Sequence, residues 1–193
     1  LALVAHVGAT SSPRPHLPVL PEEKAEAEAL LAPLTRDRPI VALHTGSRDP
    51  ARRWPPERFA ALADQLWDSQ GCQIVLTGSE DDLAINALVR RVCRAPAVDL
   101  TGKTSLGSLA AVLDRVDLLV TNDSGPSHIA WARGVRSVVL FGPTDPARWA
   151  PLDRAMHRTV VAPDRDLQNL KLAAVWPTVA TMLAAAKARR HLR

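Results

Sequence analysis

Five short segments rich in Gly, Ser, Thr and Asp hold the residues of this chain best suited to gripping an anion. They are H-T-G-S-R-D at 44–49, T-G-S-E-D-D at 77–82, T-G-K-T-S at 101–105, T-N-D-S-G-P-S-H at 121–128 and F-G-P-T-D-P at 141–146. Loops of this composition present backbone N–H groups and hydroxyls, and a helix that follows adds the positive end of its dipole. Ser, Thr and Asp also cap helices for structural reasons, so one such loop says little and the whole set says more. In the fourth segment Ser124 and Gly125 form a turn where bare N–H groups can approach a diphosphate, and Pro126 takes the first helical position, where its missing N–H costs nothing. His128 falls within the first helical turn, either close to a bound anion or packed and hydrogen-bonded. Before the next helix, Arg52 and Arg53 offer guanidinium groups that can each hold two phosphate oxygens. Trp54, followed at once by prolines, is expected to pack that loop down. Glu80 and Asp82 are candidates for ribose hydroxyls, or simply acids at a helix start.

Two familiar nucleotide motifs are excluded by spacing. T-G-K-T at 101–104 lacks the glycine five positions earlier that a P-loop needs, since Ala97 stands there. Lys103 is left as either a phosphate or ribose contact or a solvated lysine. No G-x-G-x-x-G occurs, so a parallel sheet here would not by itself imply a dinucleotide. The six histidines are scattered without ligand spacing, and no metal site is expected.

The elements that must position these loops alternate along the chain. Strands are predicted at 39–44, 72–77, 97–100, 117–121 and 136–141. The helices predicted between and after them span 56–69, 81–93, 106–113, 126–133 and 172–188, the last kinked at Pro177. Short β-branched runs separated by helices imply parallel pairing, hence an α/β, Rossmann-like, doubly wound sheet whose ligands bind beyond the carboxyl ends of the strands. Upstream, four prolines in the eleven positions 11–21 read as an interdomain connector, followed by a helix over 22–32. The expected division is therefore residues 1–38, the end of a preceding domain with connector and helix, and residues 39–193, the binding domain with its C-terminal helix.

The chain has 193 residues, 47% of them hydrophobic and 23% charged, enough for one globular core and too few for two complete lobes. It starts at Leu1, and a preceding segment is expected. The formal charge of +4 is compatible with anionic ligands or an anionic membrane surface and diagnostic of neither. Cys72 and Cys93 are expected as reduced thiols in a cytosolic setting. No run is long and apolar enough to span a bilayer.

Taken in order, H-T-G-S…R-R-W-P-P-E-R-F, L-T-G-S-E-D-D, D-L-T-G-K-T-S-L, T-N-D-S-G-P-S-H-I-A and F-G-P-T-D-P-A-R-W-A-P resemble the C-terminal domain of glycosyltransferase family nine, the ADP-heptose:lipopolysaccharide heptosyltransferases. The resemblance covers about residues 39–152. It implies half of a GT-B fold, a nucleotide-sugar donor such as ADP-heptose, a glycolipid or glycan acceptor, and inverting transfer without a metal or cofactor. It also implies an N-terminal lobe carrying the general base, no nucleic-acid partner, and a cytoplasmic location with peripheral contact at the inner membrane. By the same resemblance Thr45, Gly46 and Ser47 would lie along the diphosphate, with Arg52 as the basic phosphate residue. Asp82 would approach the ribose, and the backbone at Thr104 and Ser105 the base. Asp123 would meet the sugar, and Ser124, Gly125 and His128 the phosphates. Many members carry a cysteine-containing segment beyond the position of Pro151 that V-A-P-D-R-D-L-Q-N-L lacks, and Arg52 replaces a lysine-like residue. A UDP-sugar transferase or epimerase of the same architecture, or a non-catalytic nucleotide-binding domain, are the alternative readings.

Overall fold

The structure, a computed structural model, describes residues 15–190; the end of the preceding domain expected at the start of the chain and the first part of the Pro-rich connector lie outside the described residues. Helix α1 (Pro21–Leu30) precedes strand β1 (Ile40–His44), and α2 (Pro56–Gln70) leads to β2 (Gln73–Thr77). Then come α3 (Leu83–Val92), β3 (Ala97–Asp99), α4 (Leu106–Leu113) and β4 (Leu118–Asn122). The chain continues through α5 (Gly125–Arg133), β5 (Ser137–Phe141), the short α6 (Pro146–Trp149), β6 (His157–Val161) and α7 (Leu172–Arg190).

All six strands are parallel and ordered β3-β2-β1-β4-β5-β6. The direction of winding reverses between β1 and β4, and that switch point opens a crevice beyond their carboxyl ends. Period-two alternation feeds two cores. Val41 and Leu43 of β1, with Leu118 and Val120 of β4, face Phe59, Leu62 and Leu66 of α2 and Val175, Val179 and Leu183 of α7. Ile40 and Ala42 point the other way, toward Ala27 of α1, Ala110 and Leu113 of α4 and Ala130 of α5. Each fully buried Leu or Phe contributes about 2 kcal/mol over its exposed state.

Five of the strands were expected; β6 was not. His157 is buried and hydrogen-bonded through Nδ1 to Ser137 Oγ at 2.8 Å, whereas Val161 is exposed. An edge strand half in solvent tolerates Arg158 and Thr159, so the segment lacks the apolar run by which buried strands are recognised. The helix expected from Asp81 begins as a 3-10 turn, Glu80–Asp82, because Asp82 is turned back to bond Ser79. Helix α7 runs on through Pro177 without interruption. Helix α1 packs on α4 through Gly107, where the Glu23 carboxylate occupies the space of an absent Cβ.

Candidate functional site

The loops after β1 and β3 and the ends of β2 and β4 are locked together by two buried amides. Asn86, from the first turn of α3, accepts from Thr45 Oγ1 at 2.6 Å and donates to Thr101 Oγ1 at 2.6 Å and to the Thr77 carbonyl at 3.2 Å. Asn122, ending β4, donates to the Thr45 carbonyl at 2.7 Å and accepts from the Trp54 backbone N–H at 3.0 Å. A buried polar network with its partners satisfied holds a single geometry, because breaking any one bond strands the others. Trp54 is fully buried and donates through Nε1 to the Leu170 carbonyl at 2.7 Å, so it packs its loop down as expected.

On this scaffold opens a cavity of about 590 Å³ at the carboxyl ends of β1 to β4. Its wall takes His44, Ser47, Arg48 and Arg53 from the first loop and Gly78, Ser79, Asp81 and Asp82 from the second. Thr104, Ser105, Leu106 and Leu109 form the α4 side, and Ser124, Gly125, Pro126 and Ile129 the α5 side. Ser105 caps α4 by accepting from the Ser108 N–H at 3.1 Å. The N-terminus of α5 has no side-chain cap, because Ser124 Oγ is directed at the Asn122 carbonyl, 3.2 Å away. A Cβ built on Gly125 would meet open space. Pro126 has no N–H and the Ser127 N–H returns to the Ser124 carbonyl at 3.1 Å, so this helix end keeps its partial positive charge and the Gly125 N–H for something other than its own cap. Arg53 is held by its Nε, which donates to the Ser47 carbonyl at 2.8 Å, leaving the rest of the guanidinium for a ligand.

Six of the eleven residues to which the family resemblance gives a role line this cavity, Ser47, Asp82, Thr104, Ser105, Ser124 and Gly125, as does the candidate Arg53. Asp82 is 5% exposed, and its Oδ2 accepts from Ser79 N–H and Oγ at 2.8 and 2.9 Å. Thr45 is wholly buried and is a brace beneath the loop, not part of the wall. Gly46 is needed because the Asp82 carboxylate lies where its Cβ would be. His128 is half-buried in the first turn of α5, outside the cavity wall.

Arg52 and Asp123 form a separate group beside the cavity. Arg52 Nη1 lies 3.7 Å from Asp123 Oδ2, and that oxygen also accepts from Thr144 Oγ1 at 2.7 Å. Arg52 Nε is buried and makes no hydrogen bond, although Asp49 Oδ2 is 3.6 Å away. Lys103 is turned to the Asp99 carbonyl at 2.9 Å. Sequence reasoning missed Arg48, Asn86, Asn122 and Thr144 as individuals. Arg48, Asn122 and Thr144 stood in segments already marked as anion-suited, whereas Asn86 gave no signal; the work of both asparagines is done by pairing across loops.

Burial sets the electrostatics. His44, on the wall and almost fully enclosed, is pushed down to about 4 by desolvation, against the opposing pull of the Asp82 charge, and is therefore a neutral hydrogen-bonding group near pH 7. Its Nδ1 lies 3.1 Å from Thr77 Oγ1. Cys72 and Cys93 are free thiols, both raised to about 11, chiefly by burial. Among the described residues no cluster of His, Cys, Asp and Glu could hold a metal ion, and no helix is long and apolar enough to cross a membrane.

Comparison with known proteins agrees with this geometry. The family model Glycosyltransferase family 9 (heptosyltransferase) matches residues 1–171. Lipooligosaccharide heptosyltransferase 2 of Haemophilus influenzae is 35% identical over 147 residues, which cover 72% of this chain and 42% of that protein. Lipopolysaccharide heptosyltransferase 2 of Escherichia coli is 36% identical over 128 residues, 62% of this chain and 35% of the relative. The chain thus spans less than half the length of these curated relatives. Among solved structures, the glycosyl transferase family 9 protein from Veillonella parvula superposes with a TM-score of 0.87 at 28% identity, covering 95% of this chain and 58% of that one. E. coli ADP-heptose lps heptosyltransferase II superposes at 0.77 and 27% identity, covering 89% and 54%. The switch-point sheet, the uncapped helix end and these matches lead to one conclusion: the chain belongs to glycosyltransferase family 9, and its fold is a Rossmann-like half of the GT-B architecture.

Proposed function

We propose that this chain is the nucleotide-sugar-binding lobe of an inverting, metal-independent glycosyltransferase that takes ADP-heptose as donor and a lipopolysaccharide core or related glycan as acceptor. The observation that carries this reading is the single cavity in which an uncapped helix N-terminus and two arginines adjoin an apolar wall of Leu106, Leu109 and Ile129. Such a combination suits a diphosphate joined to a nucleoside. The relatives matched are heptosyltransferases, and an E. coli heptosyltransferase similar to this chain at 25% identity was solved with ADP.

In this reading the α5 N-terminus and Arg53 neutralise the diphosphate, Asp82 Oδ1 accepts from the ribose, and Asp123 meets the sugar with Arg52 beside it. Ser47, Thr104 and Ser105 complete the wall. Departure of ADP as an acceptor hydroxyl attacks the anomeric carbon is assisted by these preorganised donors in place of a metal ion. The general base comes from the facing N-terminal lobe, whose closure excludes water, so the isolated chain binds donor without catalysing transfer. A glycolipid acceptor places the complete enzyme in the cytoplasm, against the inner membrane.

Isothermal titration of the chain with ADP, ADP-heptose and UDP, each with and without EDTA, tests the reading. ADP and ADP-heptose are each expected to bind as well with EDTA as without it, and more tightly than UDP. No affinity for any nucleotide overturns the assignment; loss on adding EDTA overturns metal independence; preference for UDP points to a UDP-sugar enzyme of the same architecture.

A further inference from the structure

The carboxylate of Asp123 is almost fully buried, a costly position for a charge unless its oxygens are bonded. Both Thr144 Oγ1, at 2.7 Å, and Arg52 Nη1, at 3.7 Å, act on the same oxygen, Oδ2. The Thr144 hydroxyl is the donor in this bond, so its one proton is committed. Among the described residues Oδ1 accepts no hydrogen bond and is left as the acceptor for a ligand hydroxyl.

Thr144 itself stands on the exposed loop after β5, between Pro143 and Asp145, where a free segment would wander. Three contacts pin it. Asp145 caps α6 by accepting from the Ala147 N–H at 2.9 Å, and Gly142 sits against the Leu167 side chain, 3.1 Å from where its Cβ would be. Arg165 Nη1 donates to the Thr144 carbonyl at 3.1 Å. Arg165 reaches it from the segment after β6, where Asp164 and Arg165 both hold positive φ, 52° and 58°, conformations that non-glycine residues seldom adopt. Two successive left-handed residues aim the guanidinium back across the end of the sheet. The chain of contacts runs Arg165 to Thr144 to Asp123, beside the cavity next to Ser124 of its wall.

We propose that Thr144 and Arg165 are positioning residues for the donor sugar: they fix Asp123 Oδ2 so that Oδ1 receives a sugar hydroxyl, and thereby let the site tell a sugar nucleotide from the free nucleotide. This rests on the nucleotide-sugar reading above. The test compares ADP with ADP-heptose by titration calorimetry in the whole chain and in Thr144→Val, Thr144→Ser and Arg165→Ala, with thermal melts to check folding. Wild type binds ADP-heptose more tightly than ADP. Thr144→Val keeps ADP affinity within twofold and weakens ADP-heptose about tenfold or more, as expected for a lost hydrogen bond to a charged group. Thr144→Ser, which keeps the hydroxyl, restores the preference, and Arg165→Ala weakens it about threefold with ADP unchanged. Absence of nucleotide binding in wild type would sink the underlying assignment. Nucleotide binding with no preference for ADP-heptose, an undiminished preference in Thr144→Val, or equal losses for both ligands would overturn this proposal alone.

Discussion

Two glycines in the site have opposite reasons for being glycine, and each makes a prediction. At Gly46 an added methyl would collide with the buried Asp82 carboxylate, which cannot move without losing its bonds to Ser79. Gly46→Ala should therefore lower stability by about 1–3 kcal/mol, measured as a drop in urea midpoint. At Gly125 the same methyl meets nothing, so the melting temperature of Gly125→Ala should stay within about 2 °C of wild type. Its ADP affinity should fall about tenfold, because the methyl stands at the uncapped end of α5, where the anion is proposed to sit. Unchanged ADP affinity in that variant would remove α5 from the binding site. At this scale the sequence was readable where a residue type carries a constraint, as at Ser124, Gly125 and Trp54. It was silent where a role arises only from pairing across loops: nothing local marks Asn86 or Asn122 as the ties that hold Thr45.

At the scale of elements, the loop between β1 and α2 is fastened to the far end of the chain. The Leu170 carbonyl accepts from both Trp54 Nε1, at 2.7 Å, and Arg58 Nη1, at 2.6 Å. Trp54→Phe leaves that carbonyl satisfied by Arg58, so the cost should be only about 1 kcal/mol, and the Trp54→Phe/Arg58→Met pair should cost more than the sum of the single changes. Strict additivity in chemical denaturation would show that the shared acceptor is not what joins these segments. The elements themselves were legible because their patterns are pure: Phe59, Leu62, Ala63 and Leu66 make one stripe on α2, and β1, β4 and β5 are buried on both faces. Strand β6 was hidden by the same logic, since an edge strand with one face in water carries no such run.

For the whole molecule, an acid sensitivity follows from the burial of His44. His44 has an ordinary value of 6.5 and is held down to about 4 in the fold by burial. The unfolded chain therefore binds the extra proton first. Stability is unaffected above about pH 6.5 and falls as the pH drops from there toward 4, by up to about 3 kcal/mol. Urea midpoints at pH 7.5, 5.5 and 4.5 should decline in wild type and decline less in His44→Gln; parallel declines would exonerate His44. Two cores on either side of one sheet give such a loss a global readout, because strands feed both. The glycine at 107 has a consequence at this same scale. Because the Glu23 carboxylate nests where a side chain would stand, and Leu106 next door belongs to the cavity mouth, the helix that receives the upstream chain is seated directly on the rim of the cleft. A bulkier residue there would act as a wedge, prying the incoming tether and the lip of the cleft apart in one movement.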